Sequence, residues 1–177
     1  MTLLKQIRQG EIMQNNNGFN DKKIIFVCTG NTCRSCMAEG IFRAVSSEKN
    51  DMAGFAALSR GIHAFDGDDA SEHSVNALRN LWNIDISLHK AKMLSSDEVL
   101  EADLLLTMTR QHRDILKIKY PGKSSVIFTL KEYAFPELGT DNGLLDISDP
   151  FGMPYQKYES CAREIYDCVK NVLVKLK

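Results

Sequence analysis

Four consecutive apolar residues, Ile24-Ile25-Phe26-Val27, stand immediately before a cysteine, and that junction constrains the fold more than any other stretch of the chain. The run has the length and the β-branched and aromatic content of a strand buried on both faces. Beyond it Met37, Ile41, Ala44 and Val45 recur at helical spacing. The segment from Cys28 to Arg34, CTGNTCR, must therefore carry the chain from a buried strand into a helix N-terminus. A strand that feeds a helix in this way is the first half of a βαβ unit, which requires a parallel sheet.

Unpaired backbone N–H groups and the positive end of the helix dipole converge in such a loop, so it can wrap a tetrahedral oxyanion with main-chain donors. Gly30 is expected to help the loop curl. The same field favours the thiolate of Cys28 as a nucleophile. Arg34 follows after five intervening residues and returns to the rim of the loop. There its planar fork can hold two phosphoryl oxygens and balance charge in a transition state. Ser35 can donate a hydrogen bond to the thiolate. On this reading Thr29, Gly30, Asn31, Thr32, Cys33 and Ser35 are the phosphate-binding residues. Asn31 either braces the loop through its side chain or tolerates an unusual backbone angle.

The remaining sequence continues the alternation. Phe55 to Leu58 reads as a second strand, and Val75, Leu78, Leu81 and Trp82 line one face of a second helix. Ser95 with Glu98 is the pattern of a capping box. Leu104-Leu105-Leu106 reads as a buried strand, Thr109 to Lys117 as a helix, and Ser125 to Thr129 as the fourth strand. Pro154 can open a last helix whose apolar stripe is Tyr158, Ala162, Ile165, Val169, Val172 and Leu176. The expected architecture is an α/β fold: a four-stranded parallel sheet with helices on both faces. Ligands of such sheets bind beyond the carboxyl ends of the strands, where Cys28 would lie.

The segment Val27 to Glu39, VCTGNTCRSCMAE, resembles the phosphate-binding loop of the low-molecular-weight protein tyrosine phosphatase family, and is most similar to its bacterial protein-arginine phosphatase branch. Members of that branch carry threonine in the loop where tyrosine phosphatases carry isoleucine, and Thr32 occupies that place. The resemblance extends to Ser59-Arg60-Gly61, to Ala102–Thr109, to Val126–Tyr133 and to Asp149-Pro150-Phe151-Gly152, which resembles the acid motif. It covers nearly everything from Lys23 onward. One departure is Cys36, where the family usually has proline, a residue suited to a first helical turn. Cys36 could add a second reactive thiol.

The resemblance implies Cys28 as nucleophile, Arg34 as transition-state stabiliser and Asp149 as the carboxyl that protonates the leaving atom and then activates water. By itself an Asp-Pro pair is also a common turn initiator. The connection from Lys131 to Gly152 is long and aperiodic, a property of functional or disordered segments. A guanidine is a far more basic leaving group than a phenol, at more than about 12 against about 10 on the pKa scale, so an arginine phosphatase must rely heavily on Asp149. Thr32 places a polar atom near the phosphoryl group, and the resemblance implies that it favours phosphoarginine over phosphotyrosine. Phe151 completes the substrate pocket and could stack on either group. Cys33 is either a loop-filling residue or the partner of a reversible disulfide with Cys28.

The same residues fit patterns of other protein classes. Cys28, Cys33 and Cys36 match the C-x4-C-x2-C spacing of plant-type iron–sulfur ferredoxins, but that reading gives Arg34 no role. Cys161 and Cys168 read as buried thiols of the last helix. Cys33-Arg34-Ser35-Cys36 is also a C-x-x-C redox pattern. An arsenate reductase of similar loop needs a cysteine pair after the third strand, and Met108 to Arg113 contains none. The histidines at 63, 73, 89 and 112 show no metal-ligand spacing and read as surface or structural residues. No cofactor or metal is expected.

With 22 Lys and Arg against 23 Asp and Glu, nothing points to bulk attraction to nucleic acid or to a membrane surface. No apolar stretch reaches spanning length. Residues 1–21 are read as a flexible extension or an upstream start, and 22–177 as a single phosphatase domain. Five cysteines, an odd number, point to a reducing cytoplasm. The implied partners are phosphorylated proteins or peptides; the sequence leaves the oligomeric state open. Asp66, Asp68, Asp69 and Glu72 read as a solvated acidic loop leading into a helix, able to attract basic peptides if it borders the pocket.

Overall fold

The computed structural model describes residues 21–47, 54–139 and 143–176. Of the extension expected over residues 1–21, all but Asp21 lies outside the described residues. Four strands form one parallel sheet in the order β2-β1-β3-β4, with β1 Lys22–Cys28, β2 Phe55–Gly61, β3 Leu104–Thr107 and β4 Ile127–Thr129. Among the described residues six α-helices accompany them: α1 Arg34–Ser47, α2 Glu72–Trp82, α3 Ser96–Glu101, α4 Arg110–Lys119, α5 Leu130–Ala134 and α6 Tyr155–Lys175.

The alternation of side chains along a strand explains the two layers. Ile24, Phe26, Leu104 and Leu106 face one core with Met37, Ile41 and Phe42 of α1 and Ile165, Val169 and Val172 of α6. Ile25, Val27, Leu105 and Ile127 face the other, with Val99 of α3 and Leu116 of α4. The expected sheet with helices on both faces is what the chain forms. Every fully buried leucine or isoleucine in these layers contributes about 1.5–3 kcal/mol.

Several boundaries differ from those expected. β2 runs on through Ser59, Arg60 and Gly61, because these pair in register with Phe26, Val27 and Cys28. The fourth strand begins at Ile127, since a 3₁₀ turn takes Pro121–Val126. The connection after β4 is not wholly aperiodic. α5 begins on a capping box in which Thr129 Oγ1 accepts from the Glu132 N–H and Glu132 accepts from the Thr129 N–H.

Because β1 leads to β2 on one side and has β3 on the other, the switch of winding direction falls between β1 and β3. The crevice beyond their carboxyl ends is the place where such folds bind ligands. Cys28 ends β1 and Thr107 ends β3.

Candidate active site

Cys28 is 3% exposed and sits where β1 gives way to the loop. Its Sγ accepts from the backbone N–H of Asn31 at 3.2 Å and lies 3.0 Å from Ser35 Oγ. The left-handed turn that makes this possible is at Asn31, with φ of 57°. Gly30 lies outside the left-handed region, and a Cβ there would meet only Thr32 Oγ1, at 3.7 Å. The expected curl is thus supplied by asparagine, one of the few side-chain-bearing residues that tolerate it, rather than by the glycine.

Asn31 also braces the loop, so both readings of it hold together. Its Oδ1 accepts from the Lys92 N–H at 2.9 Å, which fixes the amide orientation. Its Nδ2 then donates to Ser35 Oγ and Ser59 Oγ, each at 2.9 Å. The Ser59 hydroxyl in turn donates a hydrogen bond to the Glu39 carboxylate at 2.5 Å. With its oxygen already accepting from Asn31, the Ser35 hydroxyl is directed to donate to Cys28. His89 Nε2 donates to the Asn31 carbonyl at 2.7 Å. On the outer side Ile62 and His63 donate to the carbonyls of Cys28 and Thr29, and Ser71 to that of Thr32.

Arg34 is buried at the first position of α1. Its Nη1 donates to the Ile147 carbonyl at 3.2 Å and its Nη2 to Asp149 Oδ2 at 2.6 Å. Its Nε is buried with no partner among the described residues. An unsatisfied buried donor costs about 1–3 kcal/mol, so the guanidinium is built for an acceptor that the protein itself does not supply. The other oxygen of Asp149 accepts from the Phe151 N–H at 3.2 Å, so Asp149 does initiate a turn while reaching the arginine. The segment before it is tied to the end of β3: Ile147 N–H donates to the Met108 carbonyl at 2.8 Å, and Arg110 binds Asp146 through its backbone and side chain.

A cavity of about 210 Å³ is lined by Cys28, Thr29, Gly30, Thr32, Cys33, Arg34, Asp149 and Phe151. The structure therefore brings together the expected nucleophile, arginine and carboxyl, with Thr32 and the exposed Phe151 on the wall and Ser35 and Asn31 beneath. Cys33 is buried, its Sγ 3.4 Å from Ser71 Oγ and 3.9 Å from the Tyr158 hydroxyl.

Cys36, whose position suggested a second reactive thiol, sits in the first turn of α1 and does not line the cavity. It is buried, donates to the Cys33 carbonyl at 3.0 Å, and burial followed by the neighbouring Cys28 and Cys33 raises its pKa well above that of a free thiol. Burial likewise raises Cys161, and pushes Cys168 up to about 12, as suits structural thiols of α6. Among the described residues no group of three or more His, Cys, Asp or Glu could hold a metal ion, and no helix is long and apolar enough to cross a membrane. The acidic loop abuts the outer side of the cysteine loop without lining the cavity; Asp66 accepts from the Met93 N–H and Asp69 pairs with Lys90.

Sequence reasoning gave His112 no place at the site. It is buried at the start of α4, with Nε2 3.0 Å from Thr29 Oγ1 and Nδ1 2.9 Å from Thr109 Oγ1. Burial, then the Arg34 charge, lowers its pKa to about 4, so the ring is neutral at neutral pH. The Thr-x-x-His spacing after a strand was the available signal, as an N-cap followed by a residue of the first helical turn.

Known proteins share this sequence pattern and this fold. The family model described as low molecular weight phosphotyrosine protein phosphatase matches residues 23–177. A protein-arginine-phosphatase of Bacillus subtilis (strain 168) is 34% identical over 155 residues, 87% of this chain and 96% of its own length. The crystal structure of a low molecular weight protein tyrosine phosphatase from T. tengcongensis superposes with a TM-score of 0.78 at 39% identity, over 88% of this chain and 99% of its own. An arginine phosphatase solved as a cysteine-to-serine mutant with a phosphorylated active-site serine has a TM-score of 0.78 at 32% identity, over 87% and 95% of the two chains.

Proposed function

The chain belongs to the low molecular weight phosphotyrosine protein phosphatase family, and on that premise we propose that it hydrolyses phosphoarginine in proteins through a phosphocysteine intermediate. Such enzymes are protein phosphatases and hence hydrolases, with phosphorylated proteins as substrates. Cys28 attacks phosphorus in line with the leaving nitrogen. The backbone N–H groups of Thr29 to Ser35 surround the phosphoryl oxygens, and Arg34 binds two of them with its fork. The unpartnered Nε of Arg34 supports this assignment, because a phosphoryl oxygen supplies the missing acceptor. As the phosphoryl group engages Arg34, it displaces the contact of Nη2 with Asp149 and frees that carboxyl. In its protonated form Asp149 gives a proton to the departing guanidine nitrogen. The carboxylate then takes a proton from the water that attacks the phosphocysteine, releasing inorganic phosphate and restoring the thiolate. The cysteine-to-serine relative, phosphorylated on that serine, supports covalent transfer at this position.

The observation that carries the substrate choice is Thr32 on the cavity wall. Its hydroxyl offers a hydrogen-bond partner to a guanidinium N–H, whereas a branched aliphatic side chain there would pack against a phenyl ring. Phosphotyrosine is the second reading, since the exposed ring of Phe151 can stack on a phenol as well as on a guanidinium. The test is kcat/KM on matched phosphoarginine and phosphotyrosine peptides, with Cys28→Ser as the blank. Phosphoarginine is expected to be preferred at least tenfold, a margin of about 1.4 kcal/mol, and Thr32→Ile is expected to reverse the order. A wild-type preference for phosphotyrosine would establish the second reading. Cys33 completes the proposal as the partner that traps oxidised Cys28 as a disulfide, and five free thiols suit a reducing compartment.

A further inference from the structure

His112 lies 83 residues from Thr29 in sequence and beside it in space, within hydrogen-bond distance of two threonine hydroxyls at once. The direction of these bonds can be worked out. Thr109 caps α4, and its Oγ1 accepts from the backbone N–H of His112 at 3.2 Å. The proton of that hydroxyl has one acceptor among the described residues, Nδ1 of the same histidine at 2.9 Å. With the Thr109 proton directed to it, Nδ1 is the bare nitrogen. A neutral imidazole then carries its single proton on Nε2, which must donate to Thr29 Oγ1 at 3.0 Å. The Thr29 hydroxyl, its oxygen so occupied, keeps its own proton with no acceptor among the described residues, on a residue that lines the cavity beside Cys28 and Arg34.

We propose that His112 is a positioning residue that holds the Thr29 hydroxyl as a directed donor to a phosphoryl oxygen of the substrate. The main-chain cradle then gains one side-chain hydrogen bond whose orientation is set from the third strand's connection. The inference rests on the reading of the Cys28 loop as the phosphoryl site. It goes beyond that reading in placing Thr29's side chain, and not only its backbone, on the substrate.

The closing experiment has two readouts that general loosening of the loop would not mimic. The first is the tautomer of His112 by nitrogen NMR in the intact protein, expected to be protonated at Nε2. The second is a double-variant cycle on the binding of inorganic phosphate. Thr29→Val and His112→Ala are each expected to weaken phosphate about tenfold, as loss of one hydrogen bond to a charged group would do. The double variant is expected to be no weaker than either single one. A proton on Nδ1, or losses that multiply in the double variant, would overturn the proposal. Should His112→Ala fail to fold, the tautomer and the exposed Thr29→Val still decide it. Cys28→Ser separates the two levels of the argument. If it keeps turnover, the nucleophile assignment fails while the phosphate cycle stands; if turnover is lost and the cycle is multiplicative, only the His112 inference fails.

Discussion

A single methyl group at position 61 should dismantle the loop. A Cβ on Gly61 would lie 2.5 Å from the Thr29 carbonyl oxygen and 3.0 Å from the Asn31 nitrogen, both backbone atoms that cannot swing aside. Gly61→Ala is expected to lower kcat/KM more than tenfold and to destabilise the protein by about 1–3 kcal/mol, checked by steady-state kinetics and urea unfolding. The cysteines give a second prediction. Peroxide converts the Cys28 thiolate to a sulfenic acid, and the Cys33 thiol can attack that sulfur and expel water, leaving a disulfide that thiol reagents reverse. Wild type and Cys36→Ala should both recover activity after peroxide and dithiothreitol, because Cys36 lies outside the cavity that Cys28 and Cys33 line. Cys33→Ala should not recover; equal recovery of that variant would remove Cys33 from the redox role. At this scale the sequence was informative wherever function lies in local spacing, as with Cys28, Arg34 and Ser35. It offered two residues for the tight turn, Gly30 and Asn31, since either tolerates an unusual φ and only the register of the loop decides between them.

Among the elements, the short α3 shows how a helix of six residues is held. Ser95 and Glu98 form the expected capping box, and the same Glu98 carboxylate takes two hydrogen bonds from Arg60 of β2, at 2.8 Å and 2.6 Å. One side chain thus closes the helix and ties it to the sheet. Glu98→Ala should cost about 2–4 kcal/mol, combining the lost cap with a largely buried Arg60 guanidinium left without its carboxylate. Activity at temperatures well below the transition should survive, since neither residue lines the cavity. A denaturant titration showing less than about 0.5 kcal/mol would place this pair among ordinary surface contacts. The same element was legible because its signal is local. β2 was not read to its end, because Ser59, Arg60 and Gly61 look like loop residues and become strand only through pairing with β1. α5 was missed although Thr129 and Glu132 spell its capping box; five residues are too few to show helical periodicity.

At the scale of the whole molecule, the site is assembled where the sheet changes winding direction, from segments that sequence spacing cannot bring together. Local patterns gave the strand–loop–helix unit and the number of strands. The partnership of Arg34 with Asp149, 115 residues apart, came through family resemblance, and the approach of His112 to Thr29 came from neither source. That approach leaves a thermodynamic signature. In an unfolded chain His112 takes up its proton near pH 6.5, whereas in the folded protein burial and Arg34 oppose protonation until about pH 4, against the weaker pull of Asp149 and Asp146 and with His63 adding to the repulsion. Between these values the unfolded state binds more protons, so stability rises with pH through this window. The contribution is fully present above pH 6.5 and is lost as pH falls toward 4, with a slope of up to about 1.4 kcal/mol per pH unit. Glu98, whose pKa is raised by burial but lowered more by Arg60 and the Ser95 cap together, ends below the usual 4.5 and adds its own loss as pH falls below that value. Urea unfolding at pH 7, 6 and 5 should therefore show wild type weakening steadily while His112→Gln, which has no titrating ring, shows a flatter profile. Parallel profiles for the two proteins would mean that the ring protonates without cost in the fold, and the directed hydrogen bonds from Thr109 to Thr29 would lose their basis.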